Sequence, residues 1–205
     1  MRFPPPTLPR IFVSSERAAT RVLAGVTDFV EKRLKLKVNV EKSKVTTTIK
    51  ATLLGFGFYL QAGKVKIRVA PPAIKRFKER LRELTGRNWG VSMRYRINRL
   101  NRYTSSWMAY FRIADTPGVF RKLDQWLRRR LRQVCWKQWK RIRTRISKLQ
   151  SLGINPGKAR YWGSSTKGPW HIAGTQVLDI ALPNAYWRDI GLVGIEPTWT
   201  RYKRT

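Results

Sequence analysis

The stretch "WLRRRLRQVCWKQWKRIRTR", residues 126–145, sets three tryptophans among nine Lys or Arg residues and contains no acid. Massed cations repel one another, whereas tryptophan favours burial. A helix reconciles the two. At 100° per residue, Leu127, Leu131, Val134, Ile142 and Leu149 form one apolar stripe, flanked by Cys135, Trp139 and Ile146. Arg129, Arg132, Lys137, Lys140 and Arg143 fall on the other side, with Trp126 and Trp136 among them. The periodicity predicts one long amphipathic helix over 118–152, closed by Gly153, with Trp139 in the core. Trp126 and Trp136 either stack on bases or pack against a further helix layer. A basic face alone is commonly just a solvated one. Between Gln125 and Leu178, however, thirteen Lys or Arg occur without a single acid, and that one-sidedness points to phosphate.

The rest of the composition agrees. The chain has 205 residues, 44 Lys+Arg against 11 Asp+Glu, and a formal net charge of +33. With 42% hydrophobic residues and nine Trp it can bury a core, which disordered chains cannot. Such a charge favours a polyanionic partner, with nucleic acid ahead of a membrane surface. No apolar run approaches the ~20 residues of a spanning helix, and "MRFPPPTLPR" lacks the apolar segment of a signal peptide. A cytoplasmic protein with no membrane partner is expected. One cysteine, Cys135, and one histidine, His171, exclude a disulfide framework, a multi-Cys zinc module and a His/Cys-built nuclease site. His171 lacks a partner dyad and reads as structural or phosphate-contacting. Cys135 reads as a small buried hydrophobe.

Along the chain, residues 1–14 form a Pro-rich leader. Ser15 can cap a helix in which Ala19, Val22, Val26, Phe29 and Val30 share a face. Leu36, Val38 and Val40 alternate as in a strand. Residues 53–60 and 65–69 read as a hairpin turning at Gln61–Lys64, and Pro71–Pro72 ends it. Ile74, Phe77, Leu81 and Leu84 then make a helical stripe, with Lys75, Lys78, Arg80 and Arg82 on its other faces and Gly86 as its stop. "SMRYRINRLNRYTSSWMAYFRIA" holds one or two helices with a break expected near Asn101–Ser106. The last fifty residues are richer in Gly and Pro, with short helical patches.

Several of these segments resemble the C-terminal part of a bacterial group II intron-encoded reverse transcriptase. "LLGF" (53–56) is similar to the family's last polymerase motif. "SSWMAYFRIAD" (105–115) resembles its Gly-Trp-x-x-Tyr-Phe pattern, with Ser106 where Gly is usual. "LDQWLRRRLRQVCWKQWKR" (123–141) resembles its Trp- and Arg-rich thumb helix. Residues 70–145 as a whole resemble the maturase-specific domain. "RLKLKVNVEKSKV" (33–45) is similar to the palm segment before the LLGF motif. Residues 168–192 resemble the closing segment of members without an endonuclease module. The resemblance spans roughly residues 15–192.

What the resemblance implies is an α+β, mainly α fold: a small antiparallel β element, a thumb-like helical bundle and a basic helical tail. The expected domains are a palm edge over 15–70, the thumb or maturase-specific domain over 71–150, and a basic DNA- or RNA-binding segment over 151–205. The family polymerises with metal-binding palm aspartates, including an adjacent pair. Here "MRFPPPTLPRIF" stands where that pair is expected, and no two of the 11 acids are adjacent. No catalytic or metal-binding residue is therefore assigned, and no cofactor, with Mg²⁺ entering only in a completed polymerase. The implied function is binding of structured group II intron RNA, with DNA or an RNA/DNA duplex as further candidate partners. The alternatives are half of a split RNA-directed DNA polymerase completed by an upstream fragment, or a decayed remnant. The candidate binding residues are Lys75, Lys78, Arg82, Arg129, Arg132, Lys137, Lys140, Arg143, Lys148, Lys158, Arg160 and Lys167, with Trp126 and Trp136 as candidate stacking surfaces.

Overall fold

The structure, a computed structural model, describes residues 10–204. The first nine residues of the expected leader lie outside the described residues. The chain divides into two compact units, Met1–Ala51 and Thr52–Thr205.

In the first unit, α1 spans Glu16–Lys32. Ser15 caps it as its spacing suggested, the hydroxyl accepting from the Ala18 amide at 3.2 Å. Glu16 in the first turn and Lys32 in the last both suit the helix dipole. The strand expected around Leu36–Val40 does not form. Alternation creates a strand only where a neighbour completes its ladder, and this segment has none among the described residues. Val40 is 81% exposed. The chain instead turns at Asn39, whose side chain accepts from the Lys42 amide, and makes a single 3₁₀ turn over Thr48–Lys50.

The second unit opens with a sheet that contains the expected hairpin, but the strand expected over 53–60 is broken by a turn at Leu54–Gly55. β1 (Thr52–Leu53), β2 (Phe56–Gln61) and β3 (Lys64–Val69) form an antiparallel sheet in that order. Leu54 and Gly55 both take positive φ, the twist that a two-residue hairpin needs. A Cβ on Gly55 would also stand 3.1 Å from the Phe111 ring.

Helices follow: α2 Pro71–Leu84, α3 Met93–Phe111, α4 Pro117–Gln138, α5 Ile142–Ser151, α6 Pro156–Gly163, α7 Pro169–Ile172, α8 Gln176–Ala181, α9 Asn184–Asp189 and α10 Ile195–Arg204. Asp115, just past α3, fastens the hairpin to the bundle. Its amide donates to the Ile67 carbonyl, its carbonyl accepts from the Tyr59 hydroxyl, and its carboxylate pairs with Lys66 at 3.1 Å. The fold is α+β and mainly α. Among the described residues no helix is long and apolar enough to cross a membrane.

Two expectations about the helices are corrected. α3 runs through Asn101–Ser106 without a break. Its hydroxyls fold back onto their own helix, Thr104 donating to the Leu100 carbonyl at 2.9 Å and Ser106 to the Arg102 carbonyl at 3.0 Å, so they stay within the helical pattern. The long helix expected over 118–152 is two helices. Trp139 leaves the helical conformation, and the Arg145 guanidinium takes up its carbonyl at 3.0 Å. The phase of the stripe shifts at that corner. Leu127, Leu131, Val134 and Leu149 are buried, Trp139 and Ile146 are half-buried, and Ile142 is left exposed.

One apolar cluster runs through the unit. Phe77 and Leu81 of α2, Leu100 and Met108 of α3, and Phe120, Leu127 and Leu131 of α4 lie at its centre, none of them exposed. Phe77 stacks on Trp107 at 4.0 Å. Ile172, Leu178, Leu182, Trp187 and Ile195 of the C-terminal helices join the same cluster. The basic C-terminal helices are thus packed on the bundle by their own apolar side chains.

Candidate nucleic-acid interface

The C-terminus of α2 presents several unpaired carbonyls, as every helix end does. Two arginines serve them. Arg96, fully buried on α3, donates to the Leu84 carbonyl at 2.7 Å and the Trp89 carbonyl at 2.9 Å, with its guanidinium 5.0 Å from the Trp89 ring centre. Arg130 on α4 donates to the Thr85 hydroxyl at 2.7 Å and to the Arg82 and Thr85 carbonyls at 3.2 Å. Cations at a helix C-terminus also suit its dipole.

Around this joint the cations converge. Burial holds both guanidinium groups below their ordinary pKa, and the charges of Arg82, Arg87 and Arg96 press Arg130 further down. Both stay charged at neutral pH, because arginine starts so high. Trp126, one turn before Arg130, collects three cations on its ring: Lys78 at 5.7 Å, Arg82 at 5.6 Å and Arg130 at 5.7 Å. The indole thereby holds together side chains that would otherwise spread apart. Arg82 is exposed beside it, Arg87 is exposed near enough for its charge to act on Arg130, and Lys75 lies exposed earlier on α2.

A second group gathers where α7 packs on α4. The Arg129 guanidinium lies 4.1 Å from the Trp170 ring centre and donates to the Trp170 carbonyl at 3.1 Å. Gly174 lies close against it: a Cβ there would stand 2.6 Å from the guanidinium and would have to displace it. Lys137, Lys140, Arg143, Lys148, Lys158, Arg160 and Lys167 are all exposed. They lie at the end of α4, along α5 and α6, and on the loop that follows α6. α5 and α6 pack closely, since Gly163 leaves no room for a Cβ against Ile146.

Two residues that the periodicity of the helix puts on its exposed basic side are buried instead. Arg132 is 8% exposed, donates to the Leu182 carbonyl and pairs with Asp179, so it works as a strut between α4 and the C-terminal helices. Trp136 is fully buried, 6.0 Å from Trp139, with the Arg145 guanidinium over its ring at 4.9 Å. Residues 131–136 are buried on all sides, because further helices cover what the periodicity of α4 marks as a surface. Sequence reasoning missed Arg87, Arg130 and Trp170. The signal for Arg130 was present, since it follows Trp126 by one helical turn. Cys135 is buried as expected, and burial pushes its thiol up to about 12.

The four helices α2–α5, with the arginine joint among them, make up one recognisable segment. Residues 74–153 match the group II intron, maturase-specific domain. The match enters in the first turn of α2 and stops at Gly153, the positive-φ glycine that follows α5. It overlaps the stretch, residues 70–145, whose resemblance pointed to the same domain. Trp126, Lys78, Arg82, Arg87, Arg96 and Arg130 all fall within this matched segment. Trp170 and Gly174 lie beyond it. No curated protein matches the chain.

Proposed function

We propose that the chain binds structured group II intron RNA in a maturase role, gripping the phosphate backbone without carrying its own polymerase site. The observation that carries this reading is the cation cluster on Trp126: Lys78, Arg82 and Arg130 stand within 6 Å of one ring, inside the segment that matches the maturase-specific domain. Such a cluster repels itself until a polyanion neutralises it. RNA backbone or an RNA/DNA duplex supplies that charge, and the exposed cations of α5 and α6 extend the same field.

Titration of the full chain with a folded intron-type RNA at several salt concentrations tests the reading. Each phosphate neutralised contributes about −0.7 to −0.9 to the log–log salt slope. Replacing both Arg82 and Arg87 by Glu is expected to weaken binding and flatten the slope by about 1–2 units. Unchanged affinity and slope in that variant would refute the interface. The reading also expects no primer extension on an RNA template with Mg²⁺.

One observation favours a second reading, half of a polymerase completed by an upstream fragment. No residue of α1 is buried, yet Val26 and Phe29 share an apolar face that is 38% and 53% exposed. RNA-templated synthesis that appears only when such a fragment is added would select it.

A further inference from the structure

Between α4 and the turns at Ala173–Gly174 and Pro183–Asn184 lies an open cleft of about 520 Å³. Arg128, Arg129 and Arg132 line one wall, at positions i, i+1 and i+4 of α4, and Asp179 is the one acid in the lining. Three guanidinium groups against one carboxylate leave a surplus of two positive charges (3 − 1 = 2).

The three arginines are held differently. Arg132 is braced by Leu182 and Asp179. Burial lowers its pKa, Asp179 raises it and the nearby charge of Arg128 lowers it again. Arg129 is clamped between Trp170 and Gly174 with only its Nη2 bonded, and its Nε is buried without a partner among the described residues. Arg128 donates no hydrogen bond to any described residue, so its fork is available to a ligand.

We propose that this cleft receives the terminal phosphomonoester of a nucleic-acid strand. A dianion matches the surplus charge, whereas an internal phosphodiester matches half of it. Forked guanidinium donors suit phosphate oxygens. The volume lies in the small-ligand range of ~300–1,000 Å³ and leaves room for the attached nucleotide, which a free phosphate ion would not fill. Asp179 holds Arg132 while the cleft is empty and competes with the incoming phosphate. The inference rests on the nucleic-acid reading above and adds a site outside the maturase-specific segment for most of its far wall.

Fluorescence anisotropy with the full chain and one short RNA strand in three forms, 5′-phosphorylated, 3′-phosphorylated and unphosphorylated, tests it. One phosphorylated form is expected to bind about tenfold more tightly than the unphosphorylated strand, the scale of a charged hydrogen-bond pair. Arg128→Gln should remove that preference and leave the unphosphorylated strand's affinity nearly unchanged. Asp179→Asn should increase the preference, an effect opposite in sign to that of a damaged fold, which a thermal melt checks separately. If all three forms bind wild type equally, RNA binding stands and the cleft assignment is overturned. If none binds, both fall. If inorganic phosphate at micromolar concentration abolishes the preference, the cleft is a site for the free ion and the strand-end assignment is overturned.

Discussion

Asp124 of α4 caps α10 at Ile195: its Oδ1 accepts from the Ile195 amide and its Oδ2 from the Glu196 amide, both at 2.8 Å. The carboxyl is 2% exposed. Burial raises its pKa, and the two amide bonds and the charge of Arg128 draw it back. Asp124→Ala leaves two donors without partners, one of them fully buried. It should cost about 2–4 kcal/mol, at roughly 1–3 kcal/mol per orphaned group. Asp124→Asn keeps one acceptor and should cost less. Urea denaturation orders the three proteins, and equal midpoints would show that α10 does not depend on this cap.

Gly163 meets Ile146 so closely that a Cβ would lie 2.5 Å from its Cγ1 and 3.2 Å from its backbone nitrogen. Alanine is the better helix former by about 1 kcal/mol, yet the clash should dominate and Gly163→Ala should destabilise by about 1–3 kcal/mol. Trimming the neighbour, in Gly163→Ala with Ile146→Ala, should recover part of that loss relative to the sum of the single changes. Thermal melts of the four proteins close the cycle. Simple additivity would mean that the two residues do not touch.

The Cys135 thiol, pushed up to about 12 by burial, is expected to resist alkylation by iodoacetamide at pH 8 in the native chain and to react promptly in denaturant. The sign of its pH dependence follows. An unfolded thiol titrates near ~8.5, so above that value the unfolded chain binds fewer protons than the folded one. Its contribution to stability is therefore complete below ~8.5 and declines as pH rises towards 12. Alkylation of the native chain at the rate of a free thiol would contradict the burial.

Lys137 and Lys140 are exposed where α4 ends. Reversing both to Glu should weaken RNA binding and flatten its salt slope, with circular dichroism unchanged. Leu131→Asp, which sets a charge at a fully buried position, should instead unfold the bundle. If the double Glu variant loses helix content as Leu131→Asp does, the two lysines are structural and the distinction fails.

Much of this was legible in the sequence wherever the signal is local. The Ser15 cap, the hairpin turn within Gln61–Lys64, the stop at Gly153 and the stripe of Leu127 and Leu131 need only spacing and backbone chemistry. The rest depends on what arrives from elsewhere in the chain. Val38 and Val40 alternate, but a strand also requires a neighbour that is not there among the described residues. A break is expected near Asn101–Ser106, but the Thr104 and Ser106 hydroxyls bond back to carbonyls of their own helix, and which way a hydroxyl turns is not written in the local sequence. The periodicity of α4 put Trp136 and Arg132 with the surface cations and contained no sign of the helices that cover them. Lys78, Arg82 and Trp126 stand out in the sequence only as separate candidates, and their convergence on one ring follows from the packing of α2 on α4.

The arginines at the end of α2 have one more consequence. Arg96 and Arg130 are bonded to carbonyls and a hydroxyl, which are neutral acceptors. An arginine matched to a carboxylate fixes a structure and cancels its own charge. These two fix the structure and still contribute their whole charge to the surroundings. Architecture and attraction therefore come from the same side chains but answer differently to ionic strength. Concentrated salt screens the attraction and releases a bound polyanion, while the short neutral-acceptor bonds that brace the bundle persist. Salt strong enough to strip a polyanion from the chain is therefore expected to leave the bundle folded.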